Sequence, residues 1–218
     1  MKHYAHHGFR EFVVALGYKG EEIKRYFVDY ITLGGNMTVD LRGRSVSDRA
    51  RPTEDWVVNL VDTGADSLTG GRVKRLEAVI GNEPFLVTYG DGVADIDIGA
   101  LVAFHRSHGL LATVTATRPP ARFGALVLDG DKVTRFAEKP IGGDGWINGG
   151  FMVLQPGIFQ HLAGDETSLE LTLEQLAGKG ALAAFRHEGF WQCMDTLRDK
   201  RLLEHLWRSG TAPWKVWA

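Results

Sequence analysis

Residues 85–95, Phe-Leu-Val-Thr-Tyr-Gly-Asp-Gly-Val-Ala-Asp, limit most tightly what this chain can become. An unbroken apolar and β-branched run predicts a strand buried on both faces, and Gly90 and Gly92 predict a sharp bend at its end. Asp91 is then held at the carboxyl edge of a sheet, where open α/β sheets bind their ligands. A carboxylate between two residues without side chains suits a hard cation that brings phosphates of its own. Gly-Asp-Gly is equally ordinary turn chemistry, so the motif alone leaves both readings open.

Such a strand needs a sheet around it, and 218 residues suffice for one good core, so a single domain over 1–218 is expected. A net charge of -2 without a lysine- or arginine-rich run argues against nucleic acid as a partner and leaves anionic small molecules open. The single cysteine, Cys193, excludes an internal disulfide framework and a multi-cysteine metal site, which points to a reducing, cytoplasmic setting. No apolar stretch is long enough for a bilayer, and the start, Met1 to His7, lacks the apolar segment of a signal peptide.

Periodicity predicts alternating strands and helices. The opening reads as a helix end, with His3, His6 and His7 either half-exposed on it or, less simply, gathered around a metal. Glu11 to Leu16 reads as a central strand, and Glu21 to Tyr30 as a helix whose Ile23, Tyr26, Phe27 and Tyr30 form a core stripe. Met37 to Leu41 is a short strand, residues 42–55 an excursion, and Trp56 to Asp62 a returning strand. A helix over Val73 to Val79 follows, then one over Ile98 to His108 with Leu101, Val102, and Phe104 or His105 turned inward, His105 and His108 reading as helix-surface residues rather than ligands. Leu111 to Thr117 is a strand, and a hairpin is expected around Asp129-Gly130-Asp131. Ile147 to Leu154 and Ala181 to His187 are strands, Leu171 to Ala177 is helical, and Thr196 to Trp207 forms a terminal helix.

Several loops carry donors and acceptors at the predicted strand ends. Thr63 to Arg72 is rich in glycine and hydroxyls, and its amides at a helix start, with the fork of Arg72, favour an anion or the polar edge of a base. In Glu138-Lys139-Pro140 the proline disfavours a helix and projects Lys139 from an extended segment, as a phosphate anchor or a solvated cation. Asn148 with Gly149 and Gly150 offers donors, an acceptor and close backbone approach, suited to a sugar hydroxyl as well as to a turn. Asp195 precedes a helix and reads as an ordinary N-cap. Paired with Asp91 it reads otherwise, because two aspartates at separate strand ends can share one divalent cation.

The segments Thr88 to Asp95, Pro119 to Leu126, Glu138-Lys139-Pro140, Trp146 to Phe151 and Phe190 to Lys200 resemble the sugar-1-phosphate nucleotidylyltransferases over essentially the whole chain. Leu60 to Gly64, Thr69 to Arg72 and Ala212 to Lys215 favour the cytidylyl branch over the uridylyl and thymidylyl ones. The resemblance implies a Rossmann-like α/β fold with a mixed, mostly parallel central sheet flanked by helices, lacking its first strand. It implies transfer of CMP from CTP to α-D-glucose 1-phosphate, giving CDP-glucose and pyrophosphate, with Mg2+ as cofactor and a homo-oligomeric enzyme. By resemblance Asp91 and Asp195 hold the metal. Ser67, Thr69, Gly70, Gly71, Arg72 and Gly90 contact the nucleotide, Lys139 binds the sugar phosphate, and Glu138, Asn148 and Gly149 face the sugar.

Two departures accompany the resemblance. The family opens with a strand and a Gly-Thr-Arg loop followed by a Lys-Pro segment, and this chain begins after both. By the size of a βα unit roughly 30 residues are expected upstream, with a mis-assigned start as the expected cause. The other departure is Ser168 to Glu174, where the family has Trp-Glu and a later Glu-Pro; its role is open. A relative using UTP or dTTP, or a non-catalytic sugar-nucleotide-binding or assembly homologue, remains an alternative.

Overall fold

The computed structural model describes residues 1–33, 37–48, 54–119, 125–129, 131–137 and 145–217. In chain order the elements are α1 (Lys2–His6), β1 (Glu11–Leu16), α2 (Gly20–Thr32), β2 (Met37–Asp40), β3 (Ser45–Asp48), β4 (Val57–Asp62), α3 (Thr69–Arg75) and α4 (Glu77–Ile80). There follow β5 (Phe85–Thr88), β6 (Gly92–Ala94), α5 (Ile98–His108), β7 (Ala112–Thr117), β8 (Ala125–Asp129), β9 (Lys132–Ala137) and β10 (Ile147–Leu154). A 3-10 turn (Pro156–His161), α6 (Leu169–Gly178), β11 (Leu182–His187), β12 (Trp191–Cys193) and α7 (Leu197–Arg208) complete the order. The chain divides into two compact units, one essentially of residues 3–81 and 159–172, the other of 82–158 and 173–218.

In the first unit β1 and β4 pair in parallel, from Glu11↔Val57 to Leu16↔Asp62. Parallel neighbours need a crossover, and α2 with the β2–β3 hairpin lies within it. Leu16, Val73, Leu76, Leu162 and Leu169 are buried in this unit. The stripe expected on α2 is not core: Tyr26 is 61% and Tyr30 39% exposed, and Ile23 is exposed too. Its aromatic rings pack on one another instead, Tyr26 at 5.4 Å from Phe27 and stacked at 6.0 Å on Tyr30. A hydrogen bond to Glu54 pushes the Tyr30 hydroxyl up to about 12, since it favours the protonated phenol.

The second unit is built on a four-stranded sheet in the order β11-β7-β10-β5. β11 and β7 are parallel, while β10 runs antiparallel to both β7 and β5. The expected α/β fold and mixed sheet are present, but this sheet is less parallel than expected, because β10 enters from the opposite end between two strands. β10 is buried from Gly149 to Leu154, as its apolar run requires. Over β7, β10 and β11 lies α5, with Ile98 and Leu101 fully buried and Asp97 capping its start through Ala100 N at 2.9 Å. β8 and β9 form the expected hairpin.

Of the two residues expected to turn inward from α5, Phe104 or His105, His105 is the buried one. His105 is fully buried, because it lies one turn from Leu101 on the inward stripe. Its Nε2 accepts from the Gln155 amide at 2.8 Å, and its Nδ1–H donates to Thr113 Oγ1 at 2.8 Å. That pattern requires a neutral ring, and His108, which accepts from Leu110 N at 3.0 Å and meets Thr113 Oγ1 at 2.8 Å, is satisfied in the neutral form as well. Burial foremost, then the neighbouring His108 and Arg106, lowers the His105 pKa from 6.5. A base with a depressed folded pKa binds protons more readily when unfolded, so stability is complete above 6.5 and falls as pH drops below it. Thermal unfolding between pH 7.5 and 5 should therefore show Tm declining on acidification, and His105→Gln should flatten that decline; an identical slope in the variant would remove His105 as its source.

Candidate functional site

Asp91 and Asp195 belong to the second unit and sit at the ends of two paired strands. β6 and β12 run antiparallel with Gly92 opposite Cys193, and the ladder continues one step through Met194 N donating to Asp91 O at 2.8 Å. The two aspartates, distant in sequence, thus leave adjacent strand ends. Both are exposed. Among the described residues no side chain donates to the Asp91 carboxylate, whereas Asp195 Oδ2 accepts from Cys193 Sγ at 3.2 Å.

Asp195 is not the helix cap. Thr196 caps α7, accepting from Asp199 N through Oγ1 at 3.2 Å, while Asp199 Oδ2 accepts in return from Thr196 N at 3.0 Å. A capping box one residue on satisfies the orphan donors and leaves Asp195 outside the helix. Buried Gln192 ties the arrangement together, its amide donating to Cys193 O at 2.8 Å and to Asp199 Oδ1 at 3.2 Å. The backbone on both sides of Asp195 is therefore fixed by hydrogen bonds. The polar signal Gln192 to Asp199 is visible in the sequence, but only the strand-helix junction gives it meaning.

Next to Asp91, the start of β10 supplies Asn148 and Gly149. Asn148 Oδ1 accepts from Gly150 N at 3.0 Å, which leaves its amide N–H groups as the available donors. Gly149 O accepts from Trp191 Nε1 at 2.8 Å, and a Cβ at Gly149 would press on Thr117 Cγ2 at 3.1 Å and Trp191 Nε1 at 3.3 Å. The expected bend after β5 is present as a turn at Gly90 and Asp91, although neither Gly90 nor Gly92 takes a positive φ and a Cβ at Gly90 would meet nothing within 4 Å. The turn is set by the β6–β12 ladder. Glu138 and Lys139 lie outside the described residues.

The hydroxyl- and glycine-rich loop belongs to the first unit, and its groups are largely engaged within the protein. Arg72 Nη1 donates to Leu16 O at 3.2 Å, Thr63 Oγ1 at 2.9 Å and Gly64 O at 2.8 Å, and Nη2 donates to Ala65 O at 3.1 Å. Its planar fork thus clamps the end of β1 to the loop after β4, over Gly17, where any Cβ would overlap the guanidinium. Leu68 N donates to Asp165 O at 2.8 Å and Gly71 N to Thr167 O at 3.1 Å. Thr69 Oγ1 donates to Glu170 Oε2 at 2.7 Å and accepts from Leu169 N at 2.9 Å. Arg75 binds both oxygens of Asp165, at 2.7 and 2.6 Å, and with Ser67 holds that carboxyl below its usual range. The segment around Ser168 and Glu170 therefore docks on the start of α3.

Gly70 and Gly71 make that docking possible. A Cβ at Gly71 would lie 2.6 Å from Asp165 Cα, and one at Gly70 would lie 2.7 Å from Thr167 O. Backbone cannot yield as a side chain can, so Gly71→Ala should cost about 1–3 kcal/mol, whereas Gly90→Ala should stay within about 0.5 kcal/mol. Denaturant unfolding of the two variants decides: equal stabilities would mean that the α3 contact is looser than this geometry.

Residues 1–196 match the nucleotidyl transferase family. The chain is 50% identical over its whole length to glucose-1-phosphate cytidylyltransferase of Salmonella typhi, covering 85% of that protein. It is 40% identical, again over its whole length and 85% of the relative, to the probable glucose-1-phosphate cytidylyltransferase of Bacillus subtilis strain 168. Among solved structures, HddC from Yersinia pseudotuberculosis superposes with a TM-score of 0.63 at 20% identity, over 93% of this chain and 80% of that one, a likeness of fold.

Proposed function

Because the chain belongs to the nucleotidyl transferase family and is a nucleotidyltransferase, we propose that it transfers CMP from CTP to α-D-glucose 1-phosphate. The choice of base and sugar rests on the whole-length likeness to the two cytidylyltransferases. What supports the placement of the chemistry is the ladder that joins the backbones of Asp91 and Asp195.

In this reading a phosphate oxygen of the sugar phosphate attacks the α-phosphorus of CTP in line. The bond from that phosphorus to the bridging oxygen of the β-phosphate breaks, and pyrophosphate leaves with the electron pair. No covalent enzyme intermediate is required, so alignment and charge neutralisation carry the rate. The donor set fits magnesium: two hard carboxylates, exposed so that water and phosphate oxygens can complete the shell. When bound, the ion would supply positive charge against the triphosphate.

The chain's own groups do the rest. Gln192, Thr196 and Asp199 hold the backbone around Asp195 so that little reorganisation accompanies binding. The Asn148 amide N–H groups face sugar hydroxyls, and Gly149 keeps that approach open beside Trp191. Lys139 anchors the sugar phosphate and Glu138 a sugar hydroxyl. In the first unit the loop of Ser67, Thr69, Gly70 and Gly71, shaped by the Arg72 clamp, offers backbone edges to a nucleotide, and in the second unit Gly90 offers its own.

Pyrophosphate release by the purified protein should be fastest with CTP and glucose 1-phosphate in a panel with UTP, dTTP and GTP. Equal or better rates with UTP or dTTP would overturn the choice of base. Asp91→Asn and Asp195→Asn should each lower turnover about 10²–10³-fold and weaken Mn2+ binding seen by electron paramagnetic resonance. The double variant should lose little more, as residues acting as a unit do. Tm should hardly change, since neither carboxylate caps a helix. Full activity in Asp195→Asn would place the metal elsewhere.

A further inference from the structure

A second cluster lies on the four-stranded sheet, in the second unit. In β7 and β10, Ala116 stands opposite Asn148 and Thr117 opposite Ile147, so the next step places Arg118 beside Trp146. In β11, Arg186 stands beside Ala116 on the other side. Alternate residues of a strand share a face, so Arg118, Trp146, Asn148 and Arg186 surround Ala116 on one face. Ala116 at the centre is itself buried.

The two arginines are held by the indole. Arg118 Cζ lies 4.8 Å and Arg186 Cζ 5.8 Å from the Trp146 ring centroid. Other arginines of this chain meet carboxylates, as Arg75 meets Asp165 and Arg10 meets Asp55. Among the described residues, Arg118 and Arg186 donate to no acceptor and pair with no acid. Two like charges gathered on one ring repel, and nothing in the described protein balances them.

We propose that Arg118, Trp146 and Arg186, with the Asn148 amide, form an oxyanion subsite that takes a phosphate or carboxylate group on a small molecule. A guanidinium lying on an aromatic face keeps its N–H edges free, and those edges match two oxygens of a phosphate or carboxylate. Trp146 fixes both forks before the ligand arrives, which spares side-chain entropy on binding. Asn148 adds a neutral donor, because its Oδ1 already accepts from Gly150 N. The subsite shares Asn148 with the proposed sugar site, but its two guanidinium groups and indole require no metal and neither aspartate. Its test therefore stands whether or not the cytidylyl reading does.

The probe is 19F NMR of the protein labelled with 5-fluorotryptophan, with the Trp146 resonance identified by its loss in Trp146→Phe. Sodium phosphate and sodium glucuronate are titrated at constant ionic strength with divalent cations chelated. The expected result is a saturable shift of the Trp146 resonance, with apparent affinity weakened about tenfold or more in Arg118→Gln or Arg186→Gln and the shift abolished in the double variant. Arg118→Lys and Arg186→Lys keep the charge without the fork and should bind more weakly than the parent. A response to both anions identifies a general oxyanion subsite, and a response to one alone names the phosphate or the carboxylate as its group. Absence of a saturable shift with either anion, or an unchanged shift in the double variant, overturns the proposal.

Discussion

The second unit's site depends on a short piece of antiparallel sheet. β6 and β12 pair over three residues each, and one further hydrogen bond joins Met194 N to Asp91 O. That bond joins the backbones from which two exposed carboxylates leave. The backbone beside Asp195 is held further by the capping box of α7 and by the buried amide of Gln192.

The first unit shows the same economy in another form. A guanidinium with five N–H donors is rarely needed for four protein acceptors unless the backbone it gathers would otherwise spread. Arg72 collects carbonyls from the end of β1 and from the loop after β4, and it does so over a glycine. Gly70 and Gly71 bring the start of α3 against the backbone of 165–169, and Thr69 and Glu170 close the contact. The polar groups of the loop that carries the hydroxyls are thus taken up by the end of β1, by the loop itself and by the 165–170 segment.

Much of this was legible in the sequence. The apolar runs gave β5, β7, β10 and β11 nearly to the residue, although β5 is half-buried rather than buried on both faces, and α5 was foreseen over Ile98–His108. Asp91 stands at a strand end as its glycine-flanked acid suggested, and the capping alternative for Asp195 fails because Thr196, with Asp199 three residues on, is a better cap. The family and its chemistry were legible from whole segments, not from any one motif. Less legible was what covers each face. Periodicity shows that α2 has an aromatic stripe but not whether anything packs on it, and it left Phe104 or His105 open as the inward residue of α5, a choice that the Gln155 and Thr113 partners of His105 decide.

Glycines were the least legible of all, because a missing side chain can serve a turn, a ligand or another backbone. At Gly90 the added Cβ meets open space, at Gly149 it meets a tryptophan and two threonines, and at Gly71 it meets backbone. One residue type thus does three different things within one chain, and each needs the partner segment, far away in sequence, to be known. The same limit applies to arginine. Arg72, in a glycine loop that looks made for anions, is occupied by carbonyls, whereas Arg118 and Arg186, in segments with no motif, lie on an indole and donate to no acceptor among the described residues. Local pattern reports which groups could bind an anion; the hydrogen bonds already made decide which of them still can.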